Sequence, residues 1–220
     1  MAKRQISKGK CSFCGGVFGK NAIRKHLNSC EKRKLPPTKF FHLLVEGRYE
    51  PEYWLHLAAP VSATLENLDG FLREIWLECC GHLSAFTIGE ERYVINPIEE
   101  LEGKNMKVEL EKALSPNLKF EHEYDYGSTT HLKLKVISEQ GSGTRDTKIQ
   151  LLARNEPPEI KCYSCGKIAT CVCTQCIYDG KGWLCDECAD KHNCQKIEFP
   201  EEMLLPIVNS PRVGVCGYTG

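Results

Sequence analysis

The chain has 220 residues, with 29 Lys and Arg offset by 29 Asp and Glu, 14 Cys, 18 Gly and 11 Pro. At about 150 residues per domain, this length suggests one or two domains. No run of 18 apolar residues occurs, which argues against a transmembrane helix, and 41% hydrophobic content argues against general disorder. The start, MAKRQISKGKC, is charged but has no apolar stretch behind it, so a secretory signal is not expected and a cytoplasmic location is. In that compartment cysteines stay reduced, and pairs at two-residue spacing point to metal.

The zero net charge hides an asymmetry. Residues 1–39 carry eleven basic side chains against Glu31 alone, a surplus of +10, so the remainder carries −10. Two double prolines, Pro36-Pro37 and Pro157-Pro158, mark stiff joints. They divide the chain into a basic segment 1–38, a middle 39–156 and a cysteine-rich segment 157–220. The expected fold is an α+β middle domain flanked by two small zinc-stapled modules.

The first segment contains Cys11-x2-Cys14-x11-His26-x3-Cys30. Zinc prefers four soft or borderline donors in a tetrahedron, about 2.3 Å from sulfur and about 2.0 Å from imidazole nitrogen. Cys11 and Cys14 on a tight knuckle supply one edge. His26 and Cys30, four apart on a helix from about Asn21, share a face and supply the other. The arrangement resembles the two-Cys, His-Cys version of the small zinc finger, with Phe18 and Ile23 near the mini-core positions and one residue missing from the usual loop of twelve. Lys20, Arg24 and Lys25 interleave with the ligands and Lys32, Arg33 and Lys34 follow them. These six are the candidate nucleic-acid contacts, because neutralising phosphates gives salt-sensitive, largely sequence-independent affinity. A lysine-rich solvated surface, or docking to an acidic protein, is the competing reading.

The middle reads as strands at Phe40–Val45 and Tyr53–Leu57, a helix from about Ala63 to Cys79, short strands at Ser84–Ile88 and Arg92–Ile95, and a short helix over Lys107–Leu114. Ser62 or Thr64 can cap the long helix. An acidic patch, Glu99-Glu100-Leu101-Glu102, lies between. Leu118, Phe120, His122 and Tyr124 alternate with charged residues, as do Leu132, Leu134 and Val136 after a turn. This predicts a hairpin in which Glu121, Glu123 and Asp125 oppose Lys133 and Lys135. A further strand is expected at Lys148–Ala153. Adjacent Cys79 and Cys80 would diverge on a helix, so one is expected to lie in the core and the other to be incidental.

The helix ending Trp76–Cys80, then His82-Leu83-Ser84-Ala85-Phe86-Thr87-Ile88, Phe120–Asp125, Tyr126-Gly127 and His131 resemble the plasmid pRiA4b open-reading-frame-three-like family over about 39–153. The resemblance implies a fold and a link to mobile DNA through insertion-element passenger proteins. It implies no established reaction. Where many members carry Asp, Trp and an acidic residue, this chain has Ser128, Thr129 and Thr130 and is one residue shorter. An acid–base constellation of His82, Asp125 and His131 is the enzyme alternative and would require convergence within hydrogen-bond reach. No phosphate loop, nucleophile elbow or metalloprotease helix is present.

The last segment runs Cys162-x2-Cys165-x7-Cys173-x2-Cys176-x8-Cys185-x2-Cys188-x3-His192-x-Cys194. Eight donors in so short a stretch leave little room for an apolar core, so metal must supply the stability. The spacing resembles cross-brace modules of the B-box and MYND types. That likeness implies one ion on Cys162, Cys165, Cys185 and Cys188 and a second on Cys173, Cys176, His192 and Cys194. Cys171 is an extra thiol that could replace a ligand, and Cys216 is expected to be unliganded. Up to three zinc ions are thus expected, with iron disfavoured by the mixed His and Cys donors. The expected function is that of a non-enzymatic, nucleic-acid-associated regulator or accessory protein. The alternatives are a protein-interaction adaptor and, third, an enzyme.

Overall fold

The computed structural model describes residues 7–35, 37–97, 102–194 and 203–220. Most of the acidic patch lies outside them. The chain forms two compact units: Met1–Glu74 with His82–Glu156, and Ile75–Gly81 with Pro157–Gly220.

The first unit is mixed α/β, built on a ten-stranded sheet. Its strands are β1 (Lys8–Cys11), β2 (Val17–Gly19), β3 (Phe40–Gly47), β4 (Trp54–Pro60), β5 (Ser84–Ile88), β6 (Glu91–Val94), β7 (Lys104–Asn105), β8 (Lys119–Tyr124), β9 (Thr130–Gln140) and β10 (Gln150–Asn155). They lie in the order β2-β1-β10-β4-β3-β9-β8-β5-β6-β7. The helices are α1 (Lys20–Ser29), α2 (Leu65–Leu72) and the single turn α3 (Leu110–Ala113). Every residue of β4 is buried, as expected for an interior strand covered on both faces. In β8 only alternate residues, Phe120, His122 and Tyr124, are buried, which is the period of a half-covered strand.

The sheet redraws the expected boundary at 38/39. β1 pairs antiparallel with β10, Cys11 opposite Ala153, so the basic segment is the edge of the large sheet and not a separate module. Helix α1 seals this junction: Ile23 and Leu27 pack with Phe40, Trp54, Ala58 and Leu152 in one cluster. Full burial of two such aliphatic side chains contributes about 1.5–3 kcal/mol each. A finger this small gains more by sharing that core than by standing alone.

Two other expectations change. Helix α2 begins as anticipated: Thr64 Oγ1 accepts from the N–H of Asn67 at 3.1 Å, and Asn67 Oδ1 accepts from the N–H of Thr64 at 2.9 Å. It does not continue to Cys79. Arg73–Leu77 winds as a π-helix and helical structure stops there. In the hairpin, Glu121 faces Lys133 but ion-pairs with Arg48. Glu123 lies opposite His131, Lys119 opposite Lys135, and Asp125 sits in the turn at φ 67°.

The second unit carries a three-stranded sheet, β12-β11-β13, from β11 (Cys171–Cys173), β12 (Trp183–Leu184) and β13 (Leu204–Pro206), with a single helical turn α4 (Asp186–Ala189). It also takes in Ile75–Gly81. Trp76 Nε1 donates to the carbonyl of Asn209 at 3.1 Å, and the Ser210 hydroxyl donates to the carbonyl of Trp76 at 2.7 Å.

Candidate metal centres and a basic groove

Three of the donor sets read from spacing come together. Cys11, Cys14, His26 and Cys30 form one group. Cys162, Cys165, Cys185 and Cys188 form a second, and Cys173, Cys176, His192 and Cys194 a third. Within each group the ligand atoms lie within 4.8 Å of one another. Tetrahedral zinc with bonds of about 2.3 Å to sulfur places sulfurs about 3.8 Å apart. The observed separations are 4.0 Å for Cys11–Cys30, 3.5 Å for Cys165–Cys185, 3.8 Å for Cys173–Cys194 and 3.7 Å for Cys176–Cys194. The sulfur–nitrogen pairs Cys14–His26 and Cys176–His192 are 3.3 and 3.7 Å apart. These groups can hold metal ions, and the donor chemistry is compatible with zinc.

The local backbone explains why the thiols converge. The N–H of Gly15 returns to the carbonyl of Cys11 and the N–H of Cys11 to the carbonyl of Gly16, both at 2.9 Å. The same knuckle recurs where Gly166 N–H returns to Cys162 and Cys162 N–H to Lys167, at 2.9 and 2.7 Å. Gly15 and Gly166 both adopt φ 74°, a left-handed conformation that glycine enters at little cost. The second edge of each set comes differently: His26 and Cys30 from α1 and its C-cap, Cys185 and Cys188 from the start of α4. Phe18 stacks on His26 at 4.0 Å and fixes the imidazole plane.

Electrostatics within the groups favour a cation. Burial disfavours the Cys162 thiolate, but backbone N–H groups of Cys185, Cys165 and Ser164 outweigh it and bring the thiol down to about 6. Cys188, by contrast, is pushed up to about 12 by the Cys165 and Cys185 sulfurs. Cys176 is pushed up to about 12 by burial and by the Cys194 sulfur. A divalent cation removes this repulsion, because each added thiolate then faces positive charge.

Cys171 stands apart from all three groups, with its thiol donating to the carbonyl of Leu184 at 3.6 Å. Spacing left its role open; it packs against the cluster of Cys162, Leu184 and Cys185 without joining a donor group. The structure also assembles a group that spacing missed. Cys79 and Cys80 lie 3.5 Å apart, and Cys80 and Cys216 3.8 Å apart. The expected divergence of Cys79 and Cys80 assumed a helix at those positions, and helical structure ends at Leu77.

The six basic candidates divide. Arg24, Lys25, Lys32 and Lys34 are exposed. Lys20 is taken up by Glu46 and by the carbonyl of Pro51, and Arg33 donates to Gln140 Oε1 at 2.6 Å. Two of the six are therefore engaged inside the protein. What spacing could not show is a groove of about 530 Å³ lined by Lys20, Arg24, Lys25, Lys135, Glu46 and His56. A second groove, of about 540 Å³, shares Glu46 and Lys135 with it and adds Lys119 and Lys133, together with Glu121. A basic row thus runs from α1 across β9 to β8. His56 Nε2 has no hydrogen-bond partner among the described residues.

The enzyme constellation assembles only in part. His82 and Asp125 approach to 3.6 Å, whereas His131 faces Glu123 at 3.6 Å and the ring of Tyr49. Asp125 Oδ1 also accepts from the N–H groups of Gly127 and Ser128.

Fold and donor groups together define a mixed α/β protein with a large sheet, few helices and Cys/His clusters able to hold metal. No helix among the described residues is long and apolar enough to cross a membrane. No family model matches the chain, and no curated protein matches it. Among solved structures it is similar to the crystal structure of a protein of unknown function, MM3350, from Methanosarcina mazei Go1. That match has 15% identity and a TM-score of 0.44, covering 53% of this chain and 71% of that one.

Proposed function

We propose that this is a zinc protein whose finger helix and sheet together bind the phosphate backbone of nucleic acid, in a regulatory or accessory role. The three four-donor groups are closed sets, which suits structural zinc and leaves no open coordination position for chemistry. The observation that carries the nucleic-acid reading is the continuity of the basic row: Arg24 and Lys25 on α1 share a groove with Lys135 on β9, and that groove adjoins Lys119 and Lys133. Such a row can follow a charged backbone for several phosphates and gives affinity with little base readout. The resemblance of residues 39–153 to the pRiA4b family agrees with this reading through its link to mobile DNA.

The test uses the full chain, because Cys11, Ile23 and Leu27 belong to the sheet's core and a deletion would unfold what it is meant to probe. Binding of a labelled duplex and of a labelled single strand is measured against salt for the wild type and for a variant with Arg24→Gln, Lys25→Gln and Lys135→Gln. Affinity should fall steeply with salt, and the slope of log K against log salt should shrink by about 0.7–0.9 for each phosphate that the variant no longer neutralises. Salt-insensitive binding, or equal binding by the variant, overturns the reading and leaves a protein-interaction adaptor as the alternative.

A further inference from the structure

We infer that Cys79, Cys80 and Cys216 form a fourth metal site that takes a divalent, thiophilic ion such as zinc. The three thiols belong to one unit and come from its two separate pieces of chain. Their sulfur separations, 3.5 Å for Cys79–Cys80 and 3.8 Å for Cys80–Cys216, fall in the range of the other three groups. They also lie near the tetrahedral edge of about 3.8 Å.

Three further features suit metal better than packing. First, Cys80 and Cys216 are exposed, so no apolar core holds the thiols together. Second, Cys216 adopts φ 51°, between Gly214 at 77° and Gly217 at 69°. A non-glycine residue held there is strained and persists where other bonds fix it. Gly81, just past Cys80, is also left-handed at φ 76°, as glycines are in the knuckles of the other sites. Third, three thiolates around a divalent ion leave one net negative charge. The buried Arg212 places Nη2 3.4 Å from Cys79 Sγ, where it offsets that charge. The consequence is structural: the ion would tie residues 212–216 to the 75–81 segment, where Trp76 already bonds Asn209 and Ser210.

The inference rests on the zinc reading of the other groups only for the identity of the ion, and the test separates the two. The full chain is purified in a phosphine reductant, loaded with zinc and desalted, and metal per chain is measured by mass spectrometry. The wild type is expected to carry four ions, and Cys216→Ser and Cys80→Ser three each. Cys171→Ser should still carry four, and Cys216→His, which keeps a donor, should keep the fourth. The difference of one between wild type and Cys216→Ser decides the inference. A failed site elsewhere lowers every total and leaves that difference intact. Equal counts in wild type and Cys216→Ser overturn the inference, as does a Cys79–Cys80 or Cys80–Cys216 disulfide found by peptide mapping of the loaded protein.

Discussion

Nε2 of His122 lies 2.7 Å from Oδ1 of Asp69, and both side chains are sealed from solvent. The other carboxylate oxygen of Asp69 accepts from Arg73 Nε at 2.6 Å. Arg73 in turn donates to the carbonyl of His82 and the hydroxyl of Ser84 and lies over the ring of Tyr124. One buried carboxylate thus joins α2 to strands β5 and β8. Burial works against its charge, but His122 and Arg73 hold the Asp69 carboxyl below its ordinary range.

Replacing Asp69 by Ala leaves the Arg73 charge and the His122 imidazole without their shared partner. Breaking one side of a buried pair costs about 3–5 kcal/mol. Urea denaturation monitored by Trp fluorescence should show a loss of that size, and a loss below about 1 kcal/mol would mean that the network is incidental. Because the folded pKa is depressed, this stability is present above the unfolded carboxylate value and is lost as pH falls through the folded one.

A second buried pair predicts acid sensitivity at milder pH. His42 Nε2 and His56 Nδ1 are 2.9 Å apart within the sheet. Burial, aided by Arg33 and Arg24, holds His42 at about 4. Burial and the neighbouring His42 hold His56 at about 3. An unfolded imidazole titrates near about 6.5, so the unfolded state takes up protons first. Stability from this pair is complete above about pH 6.5 and declines as pH falls toward the folded values, by about 1.4 kcal/mol per imidazole at about pH 5.5. Urea midpoints at about pH 7.5 and 5.5 should differ accordingly, and His42→Phe should reduce the difference by roughly half.

Removing metal should affect the two units unequally. The second unit has short strands and a donor-lined cluster of Cys162, Cys185 and Leu184, whereas the first unit is organised around long, buried strands. Structural zinc supplies on the order of 10 kcal/mol of coupled binding and folding free energy. A strong chelator should therefore abolish amide-exchange protection in β11, β12 and β13 while β3, β4 and β9 keep theirs. Equal loss in both units, or none, would show that metal does not stabilise the second unit selectively.

The seam between β1 and β10 can be probed at Gly9. A Cβ there would come within 2.2 Å of the Trp54 ring and 2.6 Å of the Arg154 carbonyl. Gly9→Ala should displace Trp54, whose Nε1 donates to Ser7 Oγ at 2.9 Å, and destabilise by about 1–3 kcal/mol. The check is a shift in Trp emission together with a lower urea midpoint. An unchanged midpoint would show that β1 yields without cost.

Helix and strand periods were legible wherever one face is buried, as in the Phe120–Tyr124 alternation and the Thr64 cap of α2. The Leu72–Cys79 stretch misled because its apolar spacing continues past the point where the backbone changes to a π-turn. The hairpin's ion pairs misled because the register sets Glu123 opposite His131 and Lys119 opposite Lys135, and because Arg48, distant in sequence, takes Glu121.

Sequence by itself located the Cys-x2-Cys knuckles and the first donor group, because such knuckles and a His and Cys four apart are local geometry that tight turns and one helical face dictate; the pairing of the eight later donors came from their likeness to cross-brace modules. Tertiary structure alone decided what depends on the meeting of distant parts of the chain. Strand β1 joins the sheet beside β10, Lys135 completes the groove along α1, and Cys216 reaches Cys79 and Cys80. Sequence spacing carries no signal for these, since they follow from which buried faces pair once the whole chain has folded.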